Sequence, residues 1–167
     1  MSTLSQTDAL TIQQLVGSIV LISQDAERCL KLTLPFLGAS ATPHENITKQ
    51  LDALQKRTLG ELTGKLVDSV TSDSLDFAQH MAYLVSTRNK VVHHFNETYG
   101  AQLGSGAHSE VIASLATYRR NLKGFRSVLQ QISLLVFEGL RDVTFQGTPE
   151  YEQFAQLCAT FRQHIES

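Results

Sequence analysis

Apolar residues recur along this chain at steps of three and four, the period of a helix with one buried stripe. No segment has the alternating valine- and isoleucine-rich pattern of a strand. Ile12, Leu15, Ile19, Ile22, Ala26 and Leu30 predict a first helix from Thr7 to Leu34. Pro35 ends it, because proline disfavours helical backbone at the residue before it, and a loop over 36–41 follows. Thr42, Pro43 and Glu45 form a helix start: an N-cap, a proline in the first turn and the closing carboxylate of a capping box. The stripe Ile47, Leu51, Leu54, Leu62 and Leu66 extends this second helix. Gly60 and Gly64 share one of its faces, each at up to about 1 kcal/mol against alanine. Either a close helix–helix approach offsets that, or the glycines are simply tolerated.

A third helix is expected from Ser72 or Ser74 to Gly100, then a glycine-containing loop over 101–107. The fourth runs from about Ser109 to Phe145 and stops at Gly147, with Leu115, Leu122, Phe125, Leu129, Ile132, Val136 and Leu140 as its stripe. Thr148-Pro149 opens a shorter fifth helix, to about His164. The predicted fold is all-α, an up-and-down bundle of four main helices plus a shorter C-terminal helix, in one domain over 1–167.

Apolar types make up 42% of the residues, enough for a substantial core, and charged residues 18%, below the roughly 25% of an average globular protein. A chain this poor in charge is not intrinsically disordered, and some of its apolar surface is expected to be covered in an oligomer. The net charge of −2 excludes a broad basic field, so any nucleic acid would be met by a few placed cations. Cys29 and Cys158 sit in apolar helical patterns without CxxC spacing, which reads as two reduced buried thiols. The N-terminus lacks the basic start and apolar run of a signal peptide. The most apolar stretch, Leu15 to Ile22, is too short to cross a membrane. A cytoplasmic protein without membrane contact is expected.

One position breaks the pattern. The stripe of the third helix runs Phe77, Met81, Leu84, position 88, Val91 and Phe95, and position 88 is Arg88. An arginine in an apolar seam is costly unless it is paired or faces a partly wet cleft. The plain alternative is a side chain that snorkels to water past its neighbours. Asn89 and His93 are four apart and share a face, so the amide can orient the imidazole. Arg88 and His93, five apart, lie roughly 140° around an ideal helix and are not expected to stack on each other.

The run Arg88-Asn89-Lys90-Val91-Val92-His93 resembles the Arg-polar-x-x-x-His motif of the HEPN superfamily. The setting agrees: a small all-helical chain with the motif late in a mid-chain helix. The likeness covers the bundle loosely, from about Thr7 to Phe145, and the motif sharply. It implies a metal-independent endoribonuclease of a toxin–antitoxin or phage-defence system, working as a homodimer with the two motifs meeting in a cleft. RNA would be the substrate and an antitoxin protein a partner, with no cofactor and no metal. One group of these proteins carries an adenylylated tyrosine two residues after the histidine. Here that position is Phe95, and Tyr99, one turn further on, is a poor substitute.

The chemistry suits these side chains. RNA supplies its own nucleophile, the 2′-hydroxyl. Imidazole moves protons near neutral pH, which gives His93 the acid–base role. Arg88 can hold the scissile phosphate through two hydrogen bonds, and Asn89 would orient His93 or the phosphate. The expected products are a 2′,3′-cyclic phosphate and a 5′-hydroxyl. His94 and Lys90 are secondary substrate contacts, each weighed against an ordinary solvated side chain. Arg119, Arg120, Lys123 and Arg126 form a small basic group on the fourth helix. Arg119 and Lys123 are its candidate RNA contacts, against the plain reading of a solvated face. His80, His93 and His94 lack a carboxylate or thiol at ligand spacing, so no metal site is read; Glu97 is instead a helix-face partner for His93. The alternative function is a non-catalytic HEPN-like module that binds a nucleotide or a partner protein.

Overall fold

The computed structural model of the protein describes residues 5–37, 44–69 and 75–166. Every regular element among them is helical: α1 Gln6–Thr33, a 3-10 turn Leu34–Phe36, α2 His44–Gln55, α3 Leu59–Ser69, α4 Leu75–Val92, α5 Phe95–Ser105, α6 His108–Thr144 and α7 Glu150–Glu166. The first, fourth and fifth predicted helices correspond to α1, α6 and α7. The predicted second and third helices are each divided in two. Thr42, Pro43, Ser72 and Ser74, on which two predicted helix starts rest, lie outside the described residues, as does the side chain of Glu45.

Local chemistry explains the ends. Ser5 caps α1 by accepting from the Asp8 N–H at 3.0 Å. The break in the predicted second helix falls at 56–58, where Thr58 and Glu61 form a capping box. Glu61 accepts from the Thr58 N–H at 2.8 Å, and the Glu61 N–H reaches the Thr58 hydroxyl at 3.5 Å. The continuous apolar stripe on both sides hid this start. The predicted loop over 101–107 is mostly helical. Gly106 ends α5 in the left-handed conformation, φ 87°, that glycine adopts without strain.

The core lies where α1, α3, α4 and α6 meet. Ile19, Leu30, Leu62, Leu84, Leu115, Leu122 and Leu129 are each almost fully buried there. Ion pairs set the direction of the two longest core helices: Asp8 faces His108 and Asp25 faces Arg126, so α1 and α6 run the same way. The Cys29 thiol bonds to Ser133 at the next level up, and burial raises its pKa above the ordinary value. α4 runs opposite to α6, with the Tyr118 hydroxyl donating to the Leu84 carbonyl at 2.8 Å. α3 meets α4 where a Cβ on Gly60 would stand 3.2 Å from Val85 Cγ1, while one on Gly64 would meet nothing within 4 Å. The two glycines thus divide the two readings: close approach at Gly60, open space at Gly64. α7 runs back along the end of α6, through Phe137 against Phe161 and Glu138 bonded to Arg162. Cys158 is buried in that contact. No helix among the described residues is long and apolar enough to cross a membrane.

Candidate functional site at the α4–α5 corner

The predicted third helix breaks at the motif. The His93 N–H still bonds to the Asn89 carbonyl, at 2.9 Å. His94 then leaves helical geometry, at φ −127° and ψ 34°, and makes no side-chain cap bond. Neither glycine nor proline marks this corner. Val91, Val92 and the two histidines are all weak helix formers, and apolar anchors hold the chain on both sides. Val91 is in the core, and the Phe95 ring lies 5.1 Å from the ring of buried Tyr99.

The pairing departs from the expectation that Arg88 and His93 do not meet. Arg88 Nη1 donates to His93 Nε2 at 2.8 Å and to Asn89 Oδ1 at 3.1 Å. The two positions lie roughly 140° apart on an ideal helix, and His93 keeps its helical backbone bond, so it is the length of the Arg88 side chain that spans the gap. The group that holds the imidazole is the guanidinium and not the Asn89 amide. For Nε2 to accept, it must carry its lone pair, so the neutral ring keeps its proton on Nδ1. Arg88 is half-buried and His93 is exposed. No ion pair among the described residues includes Arg88, and its buried Nε has no hydrogen-bond partner. Unsatisfied buried donors of this kind are few in folded proteins.

Tyr118 was not singled out by the sequence reading. Burial pushes its phenol far above the ordinary value, and the Arg88 charge acts in the opposite direction. Its hydroxyl ties α6 to the backbone of α4 one turn before Arg88. The available signal was a hydroxyl-bearing ring inside the apolar stripe Leu115, Tyr118, Leu122, which needs a partner once buried.

The other candidates separate. Asn89, Lys90 and His94 line an open groove of 690 Å³ between α3 and α4, a face that Arg88 and His93 do not line. His94 and Lys90 do share a side, as expected. Glu97 bonds to His94 Nδ1 at 2.7 Å, which replaces its expected pairing with His93. Glu97, the third residue of α5, stands three after the capping residue His94 and faces it, whereas an unbroken helix would have aligned Glu97 with His93. The basic group on α6 is divided too. Arg126 turns to Asp25 of α1. Arg120 borders a second groove of 520 Å³ with Phe77 and His80 of α4. Arg119 is half-buried and Lys123 exposed, and neither lines the groove beside Asn89. Among the described residues no three His, Cys, Asp or Glu side chains converge as a metal-ligand set.

No protein-family model, curated protein or solved structure matches the chain.

Proposed function

We propose that this chain is a HEPN-type endoribonuclease, metal-independent and homodimeric, of a toxin–antitoxin or phage-defence system. The observation that carries the reading is the 2.8 Å bond from Arg88 Nη1 to the exposed His93 Nε2. It joins a phosphate-binding group to a proton-transfer group at a solvent-facing corner. α4 and α7 each run opposite to α6, but α1 runs with it, whereas a strict up-and-down order would set the first and fourth main helices opposed.

In the proposed reaction the scissile phosphate draws the Arg88 guanidinium off His93. The freed Nε2 lone pair accepts the proton of the 2′-hydroxyl as its oxygen attacks phosphorus. The bond to the 5′-oxygen breaks, and that oxygen takes a proton from the second protomer's imidazole in its protonated, imidazolium form, which is left neutral. A 2′,3′-cyclic phosphate and a 5′-hydroxyl result. Arg88 offsets the charge that develops on the phosphoryl oxygens, and Asn89 holds the guanidinium at the corner until substrate arrives.

A second reading has its own support. Both Nη1 hydrogens of Arg88 are already bonded within the chain, and a site satisfied by itself suits a non-catalytic module that binds a nucleotide or partner protein. Incubation with RNA in EDTA separates the two. Cleavage by the wild type, lost in His93→Ala and Arg88→Ala and absent on RNA blocked at the 2′-oxygen, is expected. A wild type that leaves all RNA intact would sink the ribonuclease reading in favour of the binding module.

A further inference from the structure

The groove between α3 and α4 touches the Arg88–His93 pair through one residue. Asn89 accepts from Arg88 with its side-chain oxygen and also lines the groove. With one lone pair of that oxygen taken, the amide keeps two N–H donors and one further lone pair to offer a ligand. Lys90 adds an ammonium at the same end, and Ser86 a hydroxyl. Beyond them the lining is mostly small and apolar, from Val85, Ala82 and Ala78 of α4 and from Gly60 and Gly64 of α3, with Thr63 and Asp68 as polar exceptions. Along α4 from Ala78 to Asn89 the groove extends about 16 Å, at 1.5 Å per residue.

A slot with mostly apolar walls and donors gathered at one end matches a heterocycle, whose faces are apolar and whose edges are polar. The volume, 690 Å³, falls in the range of small-ligand sites. The lining carries one cation from Lys90 and one anion from Asp68, too little positive charge to track a long phosphate backbone. A helix of a partner protein would fill the apolar length but leave the donors at the Asn89 end unmatched.

Building on the ribonuclease reading, we infer that this groove is the base-recognition subsite, holding the unpaired nucleoside beside the scissile phosphate. Its donors select a purine edge with two neighbouring acceptors. Guanine offers O6 beside N7, whereas adenine sets an amino donor beside N7, where Asn89 and Lys90 also donate. Guanine is therefore preferred over adenine at the cut site.

Gly64→Leu tests this. A Cβ at position 64 meets nothing within 4 Å, so the new side chain enters the groove without disturbing the α3–α4 contact. Four short RNAs that differ only in the base beside the cut are compared by kcat and KM. The wild type should favour guanine over adenine on the order of tenfold. Gly64→Leu should raise KM and flatten that preference while kcat at saturation and the circular dichroism spectrum stay unchanged. Lys90→Ala should reduce the preference without abolishing cleavage. A wild type that cuts all four RNAs equally overturns the inference and leaves the ribonuclease reading standing, and so does a Gly64→Leu variant with unchanged KM and preference. If Gly64→Leu instead alters the oligomeric state in light scattering while the preference persists, the groove is a contact between copies and the inference falls. A wild type that cuts no RNA, and in which guanosine 3′-monophosphate leaves the NMR signals of Gly64 and Lys90 unmoved, removes both readings. Shifts at those residues without cleavage would keep the base site and remove the ribonuclease.

Discussion

Two breaks interrupt the predicted helices, and they are made differently. At Thr58 the chain restarts through a capping box: Thr58 and Glu61 satisfy each other's backbone donors, and Arg57 pairs with Glu61 at 2.7 Å. That break is closed by short-range hydrogen bonds, and its groups are occupied. At His93–His94 no side chain caps the new helix, and the polar groups at the corner are an imidazole, a guanidinium and an amide. Buried apolar residues on either side hold that break in place. One corner uses its polar residues on its own backbone donors; the other bonds them to one another through exposed His93 and leaves the Arg88 Nε unpaired. The contrast is why the second is the candidate site.

The largest effect expected from disturbing the contrast is catalytic. His93→Ala or Arg88→Ala should lower the RNA-cleavage kcat by roughly a hundredfold or more, the usual worth of a positioned proton-transfer group. The fold should persist, since His93 is exposed; circular dichroism and single-turnover cleavage check the pair of outcomes. Thr58→Ala should do the reverse. It removes a capping group worth about 1 kcal/mol, lowers the melting temperature by about 2–4 °C for a chain of this size, and leaves cleavage intact. His94→Ala, at the equivalent cap position of α5, should shift melting less than Thr58→Ala does, because His94 makes no side-chain cap bond and its pair with Glu97 is exposed. A larger loss at His94 would mean that the second corner depends on its polar residues after all.

Smaller effects come from the glycines of α3. Gly64→Ala should raise stability by about 0.5–1 kcal/mol, as the helix gains a better former in open space. Gly60→Ala should lose that gain against Val85, which thermal melts of the two variants compare directly. The smallest effect is electrostatic. Hydrogen bonds from the Thr58 N–H and then Arg57 pull the exposed Glu61 carboxyl from 4.5 down to about 2. A lowered folded-state pKa gives stability that is present above 4.5 and lost as the pH falls toward 2. The melting difference between the wild type and Glu61→Gln should therefore close over that window.

Much of the fold was legible because helix periodicity and caps are local. Ile19, Leu30, Leu115 and Leu122 are buried as their spacing requires, and Gly147 follows α6 with positive φ, whereas the stop expected at Gly100 lies inside α5. The Thr58 start was written in the sequence too, but the stripe from Leu54 to Leu62 ran across it and outweighed four polar positions. The corner at His93 had no comparable signature, since nothing between Val91 and Phe95 is a helix breaker by itself.

What the sequence by itself determined was the helical class, the apolar seam and the misfit of Arg88 within it. Periodicity states which face is buried, and a charge on that face is visible without coordinates. Tertiary packing decided the rest. The end of α4 at His94, between buried Val91 and the Phe95–Tyr99 ring pair, and the bond that Arg88 makes to His93 are not written in the periodicity. The same packing sets α3 against α4 and opens the groove at Gly64, because how far apart two helices stand depends on side chains distant in the chain.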